Sequence, residues 1–200
     1  MEFRLTYTGT LPAASTKNKR REEKHEIRKV LHKQLVELWH KHPFLRNYTR
    51  GPLVPKRIPD GELVPLMYNM AERYPRGDFL FLPLLRLLPR VVCSLDILFL
   101  RRDKAGSLIN SGDIDNRIKV LFDALRLPTI DEIRGFRPEQ HEVPFLCLLE
   151  DDSLITELKV TTDRLLTPPM GSGNHISRDV HLVIHVKTDV VDRGREWQLY

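Results

Sequence analysis

The sequence predicts an α+β protein with a mixed or antiparallel sheet. Four stretches alternate apolar with polar residues, which is the two-residue period of a half-buried strand. Two further stretches repeat their apolar residues every three to four positions, as amphipathic helices do. Strands therefore come before, between and after the helices, an order that is typical of α+β architecture. A chain of 200 residues fits a single domain over residues 1–200.

The first strand and the first helix are predicted near the start of the sequence. The strand alternates around Phe3, Leu5 and Tyr7, and the helix after it begins near Thr16 or Asn18, which are both good caps. The apolar stripe of this helix consists of Ile27, Val30, Leu31, Leu35, Leu38 and Trp39. We expect the stripe to pack inward and the basic residues of the first turns to remain in water.

The second half of the sequence supplies the other regular elements. A strand begins at Val91 and closes on a basic loop at 101–104. A helix then spans 115–125, and two strands cover 154–160 and 180–186.

A proline-rich stretch separates the first helix from the strand at Val91. Residues 43–89 contain eight of the 14 prolines, which break every long regular element there. We interpret this stretch as an insertion that lies over the core, with a short helix around 63–74.

Composition excludes several classes of protein. A hydrophobic content of 41% and a charged content of 30% exclude wholesale disorder, collagen and coiled coil. Two cysteines, Cys93 and Cys147, are too few for a disulfide scaffold or a zinc cage, so we expect a reducing compartment. No secretory signal opens the chain, and its most apolar stretch, 79–88, is too short to span a membrane. We therefore expect a cytoplasmic protein without a membrane partner.

The net charge of +5 is concentrated in one segment. Residues 17–33 hold eight Lys or Arg residues and three Glu, and the rest of the chain is balanced. A dense basic segment suits a polyanion, because each neutralised phosphate releases condensed counterions. A solvated helix face is the alternative that charge alone leaves open.

Acidic residues gather at the start of the second predicted helix. Asp113 lies just before the first turn and Asp115 within it, so both carboxylates are near the positive end of the helix dipole. Two like charges about 5 Å apart cost on the order of 3 kcal/mol at an effective dielectric of 20, and a divalent metal removes that cost. The alternative is that both acids cap the helix and Lys119 pairs with Asp115 or Asp123.

A second acidic cluster precedes the predicted strand at 154–160. Glu150, Asp151 and Asp152 are poor strand formers that repel one another, so they require a cation or solvent. Taken by itself, this segment also fits a solvated turn.

The two clusters together, in this order, resemble the RusA family of Holliday junction resolvases, which are small homodimeric metal-dependent endonucleases. The signature is Asp-x-Asp-Asn, a lysine three residues later, Asp-Ala-Leu, and then Asp-Asp. The matching residues are Asp113, Asp115, Asn116, Lys119, Asp123, Ala124, Leu125, Asp151 and Asp152. The resemblance covers about residues 1–39 and 91–186, and the proline-rich insertion lies outside it.

The resemblance implies a metal site and the roles of its residues. Asp113, Asp115 and Asp152 would bind Mg²⁺, or Mn²⁺ in its place, and Lys119 would assist the chemistry. Hard oxygen ligands suit these ions. Three further residues are candidates for support: Asn116, Asp123 and Asp151. Asp123 either fixes Lys119 or lies on the helix surface.

The implied function is that of an Mg²⁺-dependent, structure-selective endodeoxyribonuclease that resolves Holliday junctions by paired nicks. A two-fold homodimer on branched DNA would supply two metal sites. The expected phosphate contacts are Lys17, Lys19, Arg20, Arg21, Lys24, Arg101, Arg102 and Lys104. Two alternatives stay open: another metal-dependent nuclease that acts on flap or duplex DNA, and a branched-DNA-binding protein without catalytic activity.

Overall fold

A computed structural model describes residues 1–12, 20–50, 54–55, 63–64, 66–88, 90–101, 113–166 and 179–191. Its helices are α1 (Arg21–Lys41), α2 (Arg46–Arg50), α3 (Leu66–Ala71), α4 (Asp113–Leu125) and α5 (Ile130–Ile133). Its strands are β1 (Glu2–Thr10), β2 (Val54–Pro55), β3 (Leu63–Val64), β4 (Pro75–Arg76), β5 (Phe79–Leu85), β6 (Val91–Arg101), β7 (Phe145–Leu149), β8 (Ile155–Arg164) and β9 (Asp179–Val190).

The main sheet has four strands in the order β1-β9-β6-β8. β9 pairs antiparallel with both β1 and β6, whereas β6 and β8 are parallel, so the sheet is mixed. The predicted α+β class and the mixed sheet are therefore confirmed.

One face of this sheet carries the core. Leu5 of β1, Ile97 of β6 and Ile184 of β9 are buried there with the apolar faces of α1 and α4. The alternate residues on these strands lie on the opposite face, where polar side chains such as Asp96 and His185 stand beside a few apolar ones such as Leu98. The two-residue period in the sequence thus reflects helices on one side of the sheet and water on the other.

Helix α1 buries four residues of the predicted stripe, Ile27, Leu31, Leu35 and Trp39, but Val30 of that stripe is 39% exposed. The side chain of Lys24, which was expected in water, is 13% exposed. The helix starts at Arg21 instead of Thr16 or Asn18, with Glu22 and Glu23 in its first turn, where acidic side chains favour a helix amino end. Trp39, near its other end, is 2% exposed and belongs to the core as predicted.

The proline-rich insertion contributes a core strand, which the sequence interpretation missed. Residues 79–85 form β5, which is buried and pairs in parallel with β7. Pro83 is compatible with this strand because β4 pairs only with Phe79 and Leu80, so β5 has a neighbour on one side at Pro83. The short helix predicted around 63–74 corresponds to α3.

The strand β7 also has no counterpart in the prediction. All five of its residues are buried, so its sequence is a continuous apolar run without alternation. The described residues contain five helices, and the prediction lacks α2 and α5, which are too short to show a helical period.

The two cysteines behave as small buried hydrophobic residues. Cys93 and Cys147 are free, and burial raises their pKa values to about 11 and about 12. No helix within the described ranges has both the length and the apolar character that crossing a membrane requires.

A buried histidine on α1 makes the stability of the fold sensitive to pH. His25 is 2% exposed and stacks on Phe136 with 4.4 Å between ring centroids. Burial, followed by the positive charges of Lys29 and Arg28, lowers its pKa to about 4. The neutral imidazole is therefore the folded form.

Replacing His25 by Phe should make the free energy of unfolding less dependent on pH on the acidic side. The pKa of His25 is lower in the folded than in the unfolded protein. Its neutral form therefore contributes fully to the free energy of unfolding above about pH 6.5, and this contribution declines toward pH 4, by about 1.4 kcal/mol per pH unit at most. Urea unfolding at several pH values would show a shallower decline for His25→Phe. The control is His40→Gln, at an exposed position of the same helix, and its free energy of unfolding should depend on pH as in the wild type. The same pH dependence in all three proteins would contradict the role given to His25.

Candidate functional site

The amino end of α4 presents one acid and one lysine to solvent. Asp115 and Lys119 are one helical turn apart, and Asp115 Oδ2 accepts a hydrogen bond from Lys119 Nζ at 2.7 Å. Their side chains are 71% and 61% exposed. Asp113 begins the helix, but its side chain lies outside the described residues. The pair is thus open to an approaching phosphate or cation.

Buried residues on the opposite side of α4 hold the amino end of this helix in place. Ile118, Leu121 and Leu125 are buried against the main sheet, as the helical period predicts. Arg117 is also buried and donates to the backbone oxygen of Leu11 at 2.9 Å, which ties the amino-terminal half of α4 to the end of β1.

The described contacts of Asp123 are with Lys24 and Arg126, so it follows neither of its two alternatives, a link to Lys119 or a place on the open helix surface. Its Oδ2 lies 3.1 Å from Lys24 Nζ on α1, and its Oδ1 lies 2.7 Å from Arg126 Nη2. Burial would raise the pKa of Asp123, but hydrogen bonds and charges from Lys24 and Arg126 outweigh it and lower the pKa. Asp123 is a structural residue that joins α4 to α1.

Glu132 on α5 is the centre of this ion-pair network. Its carboxylate lies 2.8 Å from Lys24 Nζ, 3.2 Å from Arg28 Nη2 and 3.5 Å from Arg126 Nη1. Burial would raise the pKa of Glu132, but Arg28, Lys24 and Arg126 together lower it. Sequence reasoning missed this residue, although Thr129 and Glu132 have the spacing of a capping box, and the structure forms one.

The second acidic cluster divides into residues with different partners. Glu150 Oε2 accepts hydrogen bonds from the backbone N–H of Leu87 at 2.9 Å and from the Tyr74 hydroxyl at 3.3 Å. Asp151 accepts from the backbone N–H of Ser153 at 2.9 Å, which lowers its pKa. Asp152, the next residue, is exposed. Of the three acids, Asp152 is therefore the one that faces solvent, and the described contacts give its carboxylate no hydrogen-bond partner.

Asp152 borders an open groove beside the second half of α4. The groove has a volume of about 330 Å³, and Phe122, Ile155 and Leu158 line it together with Asp152. The charge of Asp152 acts, after those of Glu132 and Asp123, to raise the pKa of Arg126. Asp115 is seven residues before Phe122, so the two residues are separated by about 10 Å along the helix axis. The two exposed carboxylates thus lie toward different ends of α4.

The chemistry of these donors fits a hard divalent cation. Exposed carboxylates with no second protein partner, such as Asp152, are the ligands that Mg²⁺ and Mn²⁺ prefer. Among the side chains that the structure describes, no three His, Cys, Asp or Glu residues come together closely enough to hold a metal ion. Because Asp113 is not among them, the ligand group of Asp113, Asp115 and Asp152 stays a prediction.

Several of the residues predicted to contact DNA have protein partners or are buried in the structure. Lys24 is held by two carboxylates with its side chain 13% exposed, and Arg101 is 4% exposed, so neither presents a free cation to phosphate. Arg21 donates to the backbone oxygen of Arg134 and lies over the ring of Phe136. Asn116 and Arg20 are half-buried. Four of the predicted contacts fall outside the described residues: Lys17, Lys19, Arg102 and Lys104.

Comparison with known proteins finds no matching family model, no similar curated protein and no similar solved structure.

Removing the carboxylate of Glu132 should destabilise the protein strongly. Glu132→Ala leaves the buried guanidinium of Arg28 and the ammonium of Lys24 without their shared partner, and breaking a buried ion pair costs about 3–5 kcal/mol. Urea denaturation measures the loss. Asp131→Ala is the matched control, because Asp131 and its partner Arg134 are 65% and 73% exposed and such pairs contribute little. Similar losses in the two variants would contradict the central role of Glu132.

Proposed function

We propose that the chain is an Mg²⁺-dependent, structure-selective endodeoxyribonuclease that resolves Holliday junctions by paired nicks. The observation that supports the proposal is the exposure of Asp115 and Lys119 at the amino end of α4, in a chain that also exposes Asp152. The ion pair between Asp115 and Lys119 is by itself what the alternative without a metal predicts. These residues occur in the order of the RusA signature. The comparisons with known proteins neither support nor oppose the proposal.

In this proposal the metal is held by Asp113 and Asp115 at the amino end of α4 together with Asp152, which would have to approach them from beside the second half of that helix. When bound, such an ion lowers the pKa of a coordinated water and neutralises charge on the phosphate. Asp115 contributes in a second way, because its 2.7 Å hydrogen bond holds the Lys119 ammonium at the helix surface. Lys119 is a compact positive charge, suited to hold a non-bridging phosphate oxygen or to orient water.

Neutralising the acids should abolish cleavage without abolishing binding. We expect Asp115→Asn and Asp152→Asn to show no Mg²⁺-dependent products from a labelled four-way junction, and Lys119→Gln to be slower by roughly 10²-fold. Fluorescence anisotropy in EDTA should show junction binding close to that of the wild type. Asp96→Asn, on the opposite face of the sheet and paired with Lys159, is the matched control and should cleave normally.

The same assay separates the proposed activity from its alternatives. Flap and duplex substrates cleaved faster than the four-way junction would favour a nuclease of different specificity. Binding without any Mg²⁺-dependent product would favour a branched-DNA-binding protein. Wild-type cleavage rates for both Asp115→Asn and Asp152→Asn would refute the metal assignment.

Paired nicks require two sites, and we propose a homodimer formed through β8. This strand is an edge of the main sheet, so its outer backbone groups have no strand partner among the described residues. Leu158 of β8 is 43% exposed, and it lines the open groove with Phe122 and Ile155. A second copy paired along this edge would cover Leu158 and satisfy the open hydrogen-bonding groups, and it would place the groove with Asp152 beside the interface.

A charge at the centre of β8 should convert the dimer into a monomer. We expect Leu158→Lys to halve the mass measured by size-exclusion chromatography with light scattering, with an unchanged far-ultraviolet circular dichroism spectrum. Leu98→Lys is the control, because Leu98 is 37% exposed on β6, inside the sheet. A monomeric wild-type protein, or equal dissociation in both variants, would refute this interface.

A further inference from the structure

A second groove lies where the proline-rich insertion meets the core. We call it the insertion groove; it has a volume of about 380 Å³. The residues that define it here are Trp39, Phe44, Tyr48, Met70, Arg86 and Val190. Its floor is formed by aromatic rings and a thioether, with Trp39 and Tyr48 packed edge to face at 6.1 Å. The volume is in the range of sites that take small molecules or single chemical groups.

The edge of the insertion groove exposes apolar side chains. Phe44 is 60% exposed and Val190 is 42% exposed. Leu87 and Leu88, which follow Arg86 in the chain, are 42% and 86% exposed. Single exposed apolar residues are ordinary, but a contiguous group of them marks a surface that binds a partner.

One arginine lines the groove, and two more are adjacent in the chain to residues that line it. Arg86 lines the groove, Arg46 begins α2 directly after the lining residue Leu45, and Arg90 precedes the lining residue Val91. Within the described residues, the side chains of Arg46, Arg86 and Arg90 make no hydrogen bond or ion pair. The nearby Glu150 carboxylate is already occupied by the Leu87 N–H and the Tyr74 hydroxyl. The partner must therefore combine an apolar or aromatic part with negative charge.

The insertion groove is connected to the candidate acid Asp152. The backbone N–H of Glu150 donates to Leu85 O at 2.9 Å, and the N–H of Leu87 donates to Glu150 Oε2 at 2.9 Å. Glu150 is two residues before Asp152 in the chain. The groove and the acidic segment thus share a wall at one end of β5 and β7, and DNA at Asp152 would pass close to Arg86.

We propose that the insertion groove binds an unpaired base of branched DNA. The base would stack on the exposed ring of Phe44, and the flanking phosphates would contact Arg46, Arg86 and Arg90. Stacking on aromatic side chains beside a cationic surface is how proteins hold single-stranded nucleotides without reading sequence. The inference rests on the proposed function, which supplies branched DNA as the ligand.

A fluorescent base tests the proposal without requiring cleavage. A forked DNA would carry 2-aminopurine at an unpaired position of the branch, and the matched duplex would carry it in a pair. In EDTA, we expect the full chain to change the 2-aminopurine fluorescence of the fork only. Phe44→Ala should weaken fork binding about tenfold, the size of one lost stacking contact, and leave duplex binding unchanged.

Two further variants make the result specific. Arg86→Ala should reduce the slope of log K against log salt by about one, as expected for one lost phosphate contact. Ile130→Ala, at a 59% exposed apolar position on α5, is the control and should bind fork DNA like the wild type. Because Phe44 is mostly exposed, its truncation should leave the circular dichroism spectrum unchanged.

The outcomes separate this inference from the nuclease proposal. A base-dependent signal that Phe44→Ala removes supports the inference even if the wild type shows no Mg²⁺-dependent cleavage. Normal cleavage with equal fork affinity for wild type and Phe44→Ala overturns it. A change in oligomeric mass on Phe44→Ala, with unaltered DNA binding, also overturns it and assigns the groove to a contact between copies. If an acidic apolar peptide displaces the fork DNA, and the fork itself gives no 2-aminopurine signal with the protein, the groove is assigned to a protein partner.

Discussion

The arrangement of the candidate site depends on the buried ion pairs around Glu132. One carboxylate on α5 holds Lys24 and Arg28 of α1, and Asp123 adds a second acidic group from α4. Because an unpaired buried charge is far more costly than a paired one, the three helices have one acceptable relative position. That position fixes the direction in which the amino end of α4 points, and with it the side chains of Asp115 and Lys119.

The same network changes how the basic character of the chain is interpreted. Six of the eight Lys and Arg residues in the basic segment 17–33 are described by the structure, and two of them, Lys24 and Arg28, hold helices together. The cations that are free among the described residues include Arg46, Arg86 and Arg90, around the insertion groove. Of these, Arg46 and Arg86 belong to the proline-rich stretch 43–89, which therefore contributes charged residues at the surface as well as β5 in the core.

Sequence reasoning succeeded where a physical period is visible and failed where burial removes it. β1, β6 and β9 alternate because one face of the main sheet is solvated, so they could be predicted, as could the apolar face of α4. β5 and β7 are buried on both sides and have no period to detect. In the candidate site, the Asp115–Lys119 pair follows from helical spacing alone. Asp123 has one partner three residues later, Arg126, but its other partner, Lys24, comes from α1, 99 residues earlier, and no local pattern encodes that contact.

The position of β9 has a consequence for how the protein is made. This strand comes last among the described elements, yet it lies between β1 and β6, so the contacts that complete the sheet join residues nearly 190 apart. Contacts of such long range slow folding, because loop-closure entropy is lost before they form. During synthesis, β1 therefore waits without a neighbour until β9 leaves the ribosome. Chaperone dependence would concentrate in that interval, with β1 and β6 as the segments at risk of pairing wrongly.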